Sequence, residues 1–173
     1  MIHTITPCLW FDSRAEEAAN FYVSVFSARG GAENGKATSK ILGVARYGEA
    51  GAKVSGRPQG SVMTVRFLLE GKEFMALNGG PHFTFSPAVS FIVDCATQEE
   101  VDEMWKKLSE GGEPGQCGWL TDKYGVSWQI VPTLLGEMMQ DKDPKKPERV
   151  MQALLQMGKL DIKRLKQAYD AAL

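Results

Sequence analysis

Few side chains in this sequence can do chemistry, and their types narrow what that chemistry is. Thiols stand at Cys8, Cys95 and Cys117, imidazoles at His3 and His82, and carboxamides in strand-like surroundings at Asn78 and Gln129. A thiol attacks as its thiolate, so Cys8 is a nucleophile only where a cation or base lowers its pKa, and no histidine adjoins it. Three cysteines without a Cys-x-x-Cys pair point neither to a disulfide framework nor to a structural zinc site. Their plainer role is as small buried apolar side chains. Cys117 lies near Gly115 and Gly118, where a backbone could approach a ligand or a tight hairpin could pack beneath Trp119. Asn78 and Gln129 can orient a polar ligand through their amides, or satisfy buried backbone groups. His82, in the run GGPH, either lines a cavity or sits on an exposed loop, and His3 precedes the first strand. Arg66, within VMTVRFLL, faces solvent unless it anchors an anion. No convergent acid, base and nucleophile set is visible, so enzymatic and binding roles both stay open.

The elements that must position these residues come in a repeated order. Residues 4–11, TITPCLWF, form a short apolar strand with its proline near the start. Ser13 and Glu16 have capping-box spacing, and Ala15, Ala18, Tyr22 and Val25 then share one stripe, which predicts a helix over 13–26. The glycine-rich stretch 27–60 is loose. It holds one expected strand over 40–47, with Gly43 at a bulge. Strands over 62–69 and 74–78 follow, joined by a turn at 70–73. The order then recurs: AVSFIV at 88–93, a capping box of Thr97 and Glu100, and a helix carrying Val101, Met104, Trp105 and Leu108. Gly111 and Gly112 stop this helix, and a hairpin of 119–121 and 126–131 closes around 122–125. Asp12 and Asp94 mark matching strand ends. A duplicated βαβββ module is the economical reading. Two such curled sheets side by side would bound a small-molecule cavity.

Strand alternation places Thr6, Cys8 and Trp10 on one face of the first module, and Ala88, Ser90 and Ile92 on the corresponding face of the second. If Gln129 faces inward, Ser127 and Val131 accompany it while Trp128 and Ile130 point the other way. The candidate cavity residues are therefore Thr6, Cys8, Trp10, Asn78, His82, Ser90, Cys117 and Gln129.

Composition excludes several classes. Twenty basic residues against 21 acidic ones give a net charge of −1, which removes the electrostatic case for a nucleic-acid partner. No apolar run is long enough for a bilayer and no signal pattern opens the chain, so no membrane partner and a cytoplasmic location are expected.

The run DCATQEEVDEMWKKLSEGGEPGQCGWLTDKYGVSWQIVP, with TPCLWFDSRAEEAANFYVSVF and EFMALNGGPHFTFSPAVSF, resembles the PhnB-like branch of the vicinal oxygen chelate superfamily. Members of this branch are often called demethylubiquinone 3-methyltransferase-like. The wider superfamily includes glyoxalase I, ring-cleaving dioxygenases and fosfomycin- and bleomycin-resistance proteins. The resemblance implies an α+β fold of two tandem βαβββ modules, 1–80 and 81–132, forming a glyoxalase-like half-barrel pair, with a C-terminal helical extension over 133–173. It also implies a homodimer. Catalytic members of the superfamily hold a divalent metal with His and Glu on equivalent strands, positions that correspond here to Thr6, Leu77, Ala88 and Gln129. These side chains make no strong site for zinc, iron or manganese. No cofactor is expected, a divalent metal being the alternative. A methyl-donor site needs a strand leading into a Gly-rich loop and helix, whereas Gly30, Gly31 and Gly35 follow a helix. Metal-independent binding or sequestration of a small molecule is the expected function, and a small-molecule lyase or isomerase the alternative. Beyond Pro132, Val150, Met151, Leu154 and Leu155 form one amphipathic stripe, and Ile162, Leu165, Ala168 and Ala172 another. Both suit a core or a subunit partner.

Overall fold

The computed structural model describes residues 5–27, 32–33 and 36–171. The chain divides into two compact units, Met1–Phe85 and Ser86–Leu173.

In the first unit, β1 (Cys8–Phe11) leads into α1 (Ala15–Ser27), followed by the short strands β2 (Ala32–Glu33) and β3 (Lys36–Ala37). Then come β4 (Lys40–Arg46), α2 (Glu49–Ser55), β5 (Val62–Leu69) and β6 (Lys72–Asn78). The sheet order is β1-β6-β5-β4, with β1 parallel to β6 and the other neighbours antiparallel. Helix α1 turns its Ala15, Ala18, Ala19, Tyr22, Val25 and Phe26 stripe inward. Its alanines admit a close approach to the sheet, and Tyr22 stacks on Phe67, which stacks on Phe74.

Three expectations shift here. The helix begins at Ala15, and its first amide is satisfied from across the sheet by Asn78 Oδ1 at 2.8 Å, where Ser13 was expected to cap. The turn is not four residues long. Lys72 and Glu73 already pair with Leu69 and Leu68, so only Glu70 and Gly71 turn, with φ of 46° and 75°. Those paired positive angles match the twist of the flanking strands. Residues 49–55 form α2, which the glycine-rich composition concealed. The bulge expected at Gly43 is present, as a register shift between Ile41 and Gly43.

In the second unit, β7 (Ser90–Cys95), α3 (Gln98–Ser109), β8 (Glu113–Pro114), β9 (Trp119–Thr121) and β10 (Ser127–Pro132) repeat the plan. The order is β7-β10-β9-β8, again with the first strand parallel to the last. Strand β7 starts two residues later than AVSFIV suggests, because Val89 N–H closes a turn onto Ser86 O at 3.4 Å. Ala88 thus precedes the strand. Helix α3 is capped as its sequence predicts: Thr97 Oγ1 accepts from Glu100 N–H, while Glu100 Oε2 accepts from Ala96 N–H. Glu99 and Glu100 at its start and Lys106 and Lys107 at its end complement the helix dipole.

The C-terminal extension forms α4 (Thr133–Met139), α5 (Lys145–Leu154) and α6 (Ile162–Asp170). Met138, Val150, Met157, Leu160 and Leu165 make a buried cluster of their own. The stripe from Val150 to Leu155 is split: Val150 is buried, whereas Met151 and Leu155 are exposed. No helix among the described residues is long and apolar enough to cross a membrane.

Candidate functional site

Alternation gives each sheet one buried face and one face free of its helix. In the first unit Leu9, Phe11, Val65, Phe67, Leu69, Phe74, Ala76 and Asn78 are buried, and contacts of Phe67 and Asn78 identify this as the α1 side. Cys8, Trp10, Arg66, Met75 and Leu77 occupy the opposite positions. Register aligns Cys8 with Met75 and Arg66, and Trp10 with Leu77 and Thr64.

These residues offer little reactivity. Cys8 is exposed as a residue, yet partial burial of its thiol pushes the pKa above the ordinary value, which disfavours the nucleophilic thiolate. Trp10 is already covered. Its Nε1–H donates to Gly80 O at 2.9 Å, Phe83 meets it edge-on at 5.0 Å, and a Cβ on Gly79 would lie 2.1 Å from its ring. Thr6 is half-buried ahead of β1, and His82 is exposed on the connection after β6. Asn78 uses both ends of its amide within the chain, accepting from Ala15 N–H and donating to Val62 O at 3.0 Å. Arg66 pairs with Glu73 at 2.7 Å on the surface. His3, Gly30, Gly31 and Gly35 lie outside the described residues.

Arg57, which sequence reasoning missed, borders a cleft of about 400 Å³ at the start of α1 with Ser13, Glu16, Ser61 and Asn78. Its guanidinium is held by Asp12, through the carboxylate at 3.3 Å and through the backbone carbonyl.

The second sheet is more polar on its helix-free face. Leu120, Trp128, Ile130, Pro132, Val93 and Cys95 are buried on one side; by alternation Trp119, Thr121, Ser127, Gln129, Ser90 and Ile92 stand opposite, and of these Ser127 is itself buried. As alternation predicted, Ser127 and Val131 share the Gln129 face, while Trp128 and Ile130 take the other. Register then builds two rows across the strands. One runs Glu113, Thr121, Ser127, Ser90; the next runs Trp119, Gln129, Ile92. Gln129 Nε2–H donates to Ser90 Oγ at 2.9 Å, so these two candidates meet. Beside them lies a cleft of about 370 Å³, lined by Pro87, Glu113, Pro114, Gln116, Trp119, Thr121 and Ser127 among others.

Trp119, Thr121, Glu113 and Gln116 were not among the residues picked out from sequence. The signal existed: carrying the Gln129 face through the 122–125 hairpin by alternation leads to Trp119 and Thr121. Cys117 belongs elsewhere. It is half-buried with φ of 59°, its N–H donates to Met157 O at 2.7 Å, and Gly118 N–H donates to Gly158 O at 2.7 Å. The backbone that approaches these glycines is the chain's own extension.

A metal centre does not fit these donors. Leu77 and Ala88 carry no donor atom, Gln129 offers one neutral amide oxygen, and Thr6 and Ala88 precede their strands. Among the described residues no group of three or more His, Cys, Asp or Glu side chains could hold a metal ion.

Residues 3–131 match the family model described as 3-demethylubiquinone-9 3-methyltransferase. The chain belongs to this family, the PhnB-like branch of the vicinal oxygen chelate superfamily. Among solved structures, the family's PhnB protein from Bacillus cereus is 38% identical, with a TM-score of 0.61 over 76% of this chain and 100% of that one. Protein PA1353 from Pseudomonas aeruginosa is 20% identical, with a TM-score of 0.56 over 76% and 98%. The fosfomycin resistance protein FosX from Listeria monocytogenes is 14% identical, with a TM-score of 0.54 over 82% and 100%. At such identities the last two share the fold alone. No curated protein matches the chain. The glyoxalase-like α+β fold expected from the motifs is thus the family's own.

Proposed function

We propose that this PhnB-like protein binds a small molecule without a metal, on the helix-free face of its second sheet. The supporting observation is the 370 Å³ cleft bounded by Trp119, Thr121, Ser127 and Glu113, next to the bonded pair Gln129 and Ser90. Its combination of apolar wall and few polar groups is typical of small-ligand sites. The family's methyltransferase name finds no support in the connections. β1 reaches α1 through Asp12, Ser13 and Arg14, and β7 reaches α3 through Ala96 and Thr97, so neither strand opens a Gly-rich loop onto a helix. Fold membership does not by itself carry the reaction.

Fragment binding followed by amide NMR in the presence of a chelator tests this reading. Ligands are expected to shift Trp119, Thr121 and Ser127 equally with and without EDTA. Binding that requires added divalent metal, or that maps only to other surfaces, removes the proposal. Assembly as a cytoplasmic homodimer belongs to the same reading, and a monomer mass in light scattering at micromolar concentration would remove the dimer.

A further inference from the structure

We infer that the ligand class of this cleft is a small organic cation, an amine or quaternary ammonium carrying an apolar group; the inference rests on the binding role proposed above. Among the described residues Glu113 is the ionisable side chain lining the cleft, and no Lys, Arg or His lines it. An anion entering there would meet a carboxylate and no countercharge, whereas a cation would meet favourable Coulomb attraction.

Among the described residues Glu113 makes no ion pair and no side-chain hydrogen bond, so its charge is not already spent. Trp119 is free in the same sense. The indole N–H groups of Trp10 and Trp128 donate to Gly80 O and Asp122 Oδ2, while that of Trp119 has no partner among the described residues. Its ring is half-buried and borders the cleft.

Register puts the two groups within reach of one ligand. Glu113 pairs directly with Thr121, and Trp119 lies two residues along β9 on the same face. Such diagonal neighbours stand about 7–8 Å apart, within reach of long and aromatic side chains. An ammonium held between them can sit within about 6 Å of the indole centroid while facing the carboxylate. Pro87 and Pro114 then offer apolar surface for the rest of the molecule, and the Thr121 and Ser127 hydroxyls can accept its N–H groups.

Three probes of one size and different charge separate the outcomes: benzylammonium, benzyl alcohol and benzoate, titrated into the full chain. The readout is the Trp119 indole and the Thr121 and Ser127 amide signals, with Trp119 assigned from a Trp119→Phe spectrum. Benzylammonium is expected to shift them saturably and benzoate to leave them in place. Glu113→Gln should weaken benzylammonium about 2–5-fold, as should raised salt, because both partners are near the surface. Trp119→Leu should weaken it by a similar factor, about 2–5-fold. Equal binding of benzyl alcohol or benzoate, unaffected by Glu113→Gln, would overturn the cation assignment while leaving the cleft a binding site. If none of the three probes moves these signals, the cleft reading falls and this inference with it.

Discussion

Asp122 is the residue on which the final hairpin turns. Its side chain is 3% exposed, yet its oxygens are satisfied: Oδ1 accepts from Tyr124 N–H at 2.8 Å and Val126 N–H at 3.0 Å, and Oδ2 from Trp128 Nε1–H at 2.8 Å. Replacing it with alanine strands those donors, and hydrogen bonds to a charged group are each worth about 1.5–3 kcal/mol. Asp122→Ala should therefore lower unfolding stability by about 3 kcal/mol or more, read as a fall in the urea midpoint at unchanged m-value. Asp122→Asn should cost less, because Oδ1 keeps both backbone bonds and only the Trp128 contact becomes donor against donor. Little of this was legible in advance. DKYG reads as a turn from its composition, but nothing in the sequence says that the aspartate will reach six residues on to an indole. Asn78 teaches the same lesson in reverse, since a carboxamide that looks ligand-ready is used up on Ala15 and Val62. Gln129 and Ser90 were visible candidates because strand alternation alone puts them on an open face.

At the scale of elements, hydrophobic period identified the two principal helices and most sheet strands, while boundaries followed local backbone geometry that composition reports weakly. The β5–β6 connection illustrates this. EGKE reads as four turn residues, yet the ladder continues to Leu69 and Lys72 and leaves Glu70 and Gly71 to turn. Alanine at Gly71 would have to hold φ near 75°, which costs about 1–2 kcal/mol for an L-residue. Gly71→Ala should thus show a loss of that size in thermal unfolding, with the same native circular dichroism. At Cys117, a β-branched side chain would be forced into φ of 59°. Cys117→Val should destabilise by about 1–2 kcal/mol or more, whereas Cys117→Gly relieves the backbone and loses only a half-buried thiol. A destabilisation by Gly equal to that by Val would show that thiol packing, and not backbone conformation, fixes the residue there.

At the scale of the molecule, the repeated strand, capped helix and strands made the duplicated plan legible, but the docking of the extension was not. Many of its contacts use its backbone: Cys117 and Gly118 N–H donate to Met157 O and Gly158 O, and the Gln98 side-chain amide both donates to Leu160 O and accepts from Ile162 N–H, while Lys159 pairs with Asp102 at 2.5 Å. Backbone carbonyls leave no mark in a side-chain pattern. Removing residues 133–173 should expose those amides, so exchange protection at Cys117 and Gly118 should vanish in the truncated chain. Protection persisting there would mean that the second sheet holds this corner without the extension. The extension has its own fastening, in which Tyr169 donates to Asp141 Oδ2, Lys146 lies 3.4 Å from the same oxygen, and Arg149 donates to Ala168 O and Tyr169 O. The Tyr169 hydroxyl, then the Asp143 amide and Lys146, hold the Asp141 carboxyl at about 2, below its ordinary 3.8. A carboxyl lowered on folding stabilises the folded state at pH above the unfolded value and loses that contribution as pH falls through the folded one. The α5–α6 fastening should therefore persist unchanged down to about pH 4 and weaken between there and about pH 2, measurable as falling protection factors, relative to intrinsic exchange at each pH, for the α6 amides. Asp141→Asn should abolish the pH dependence within that window. α6 protection factors that stay flat across that window in the unaltered chain would show that the apolar packing of Val150 and Leu165, with the Arg149 bonds to Ala168 O and Tyr169 O, keeps the helix in place without the Asp141 carboxylate.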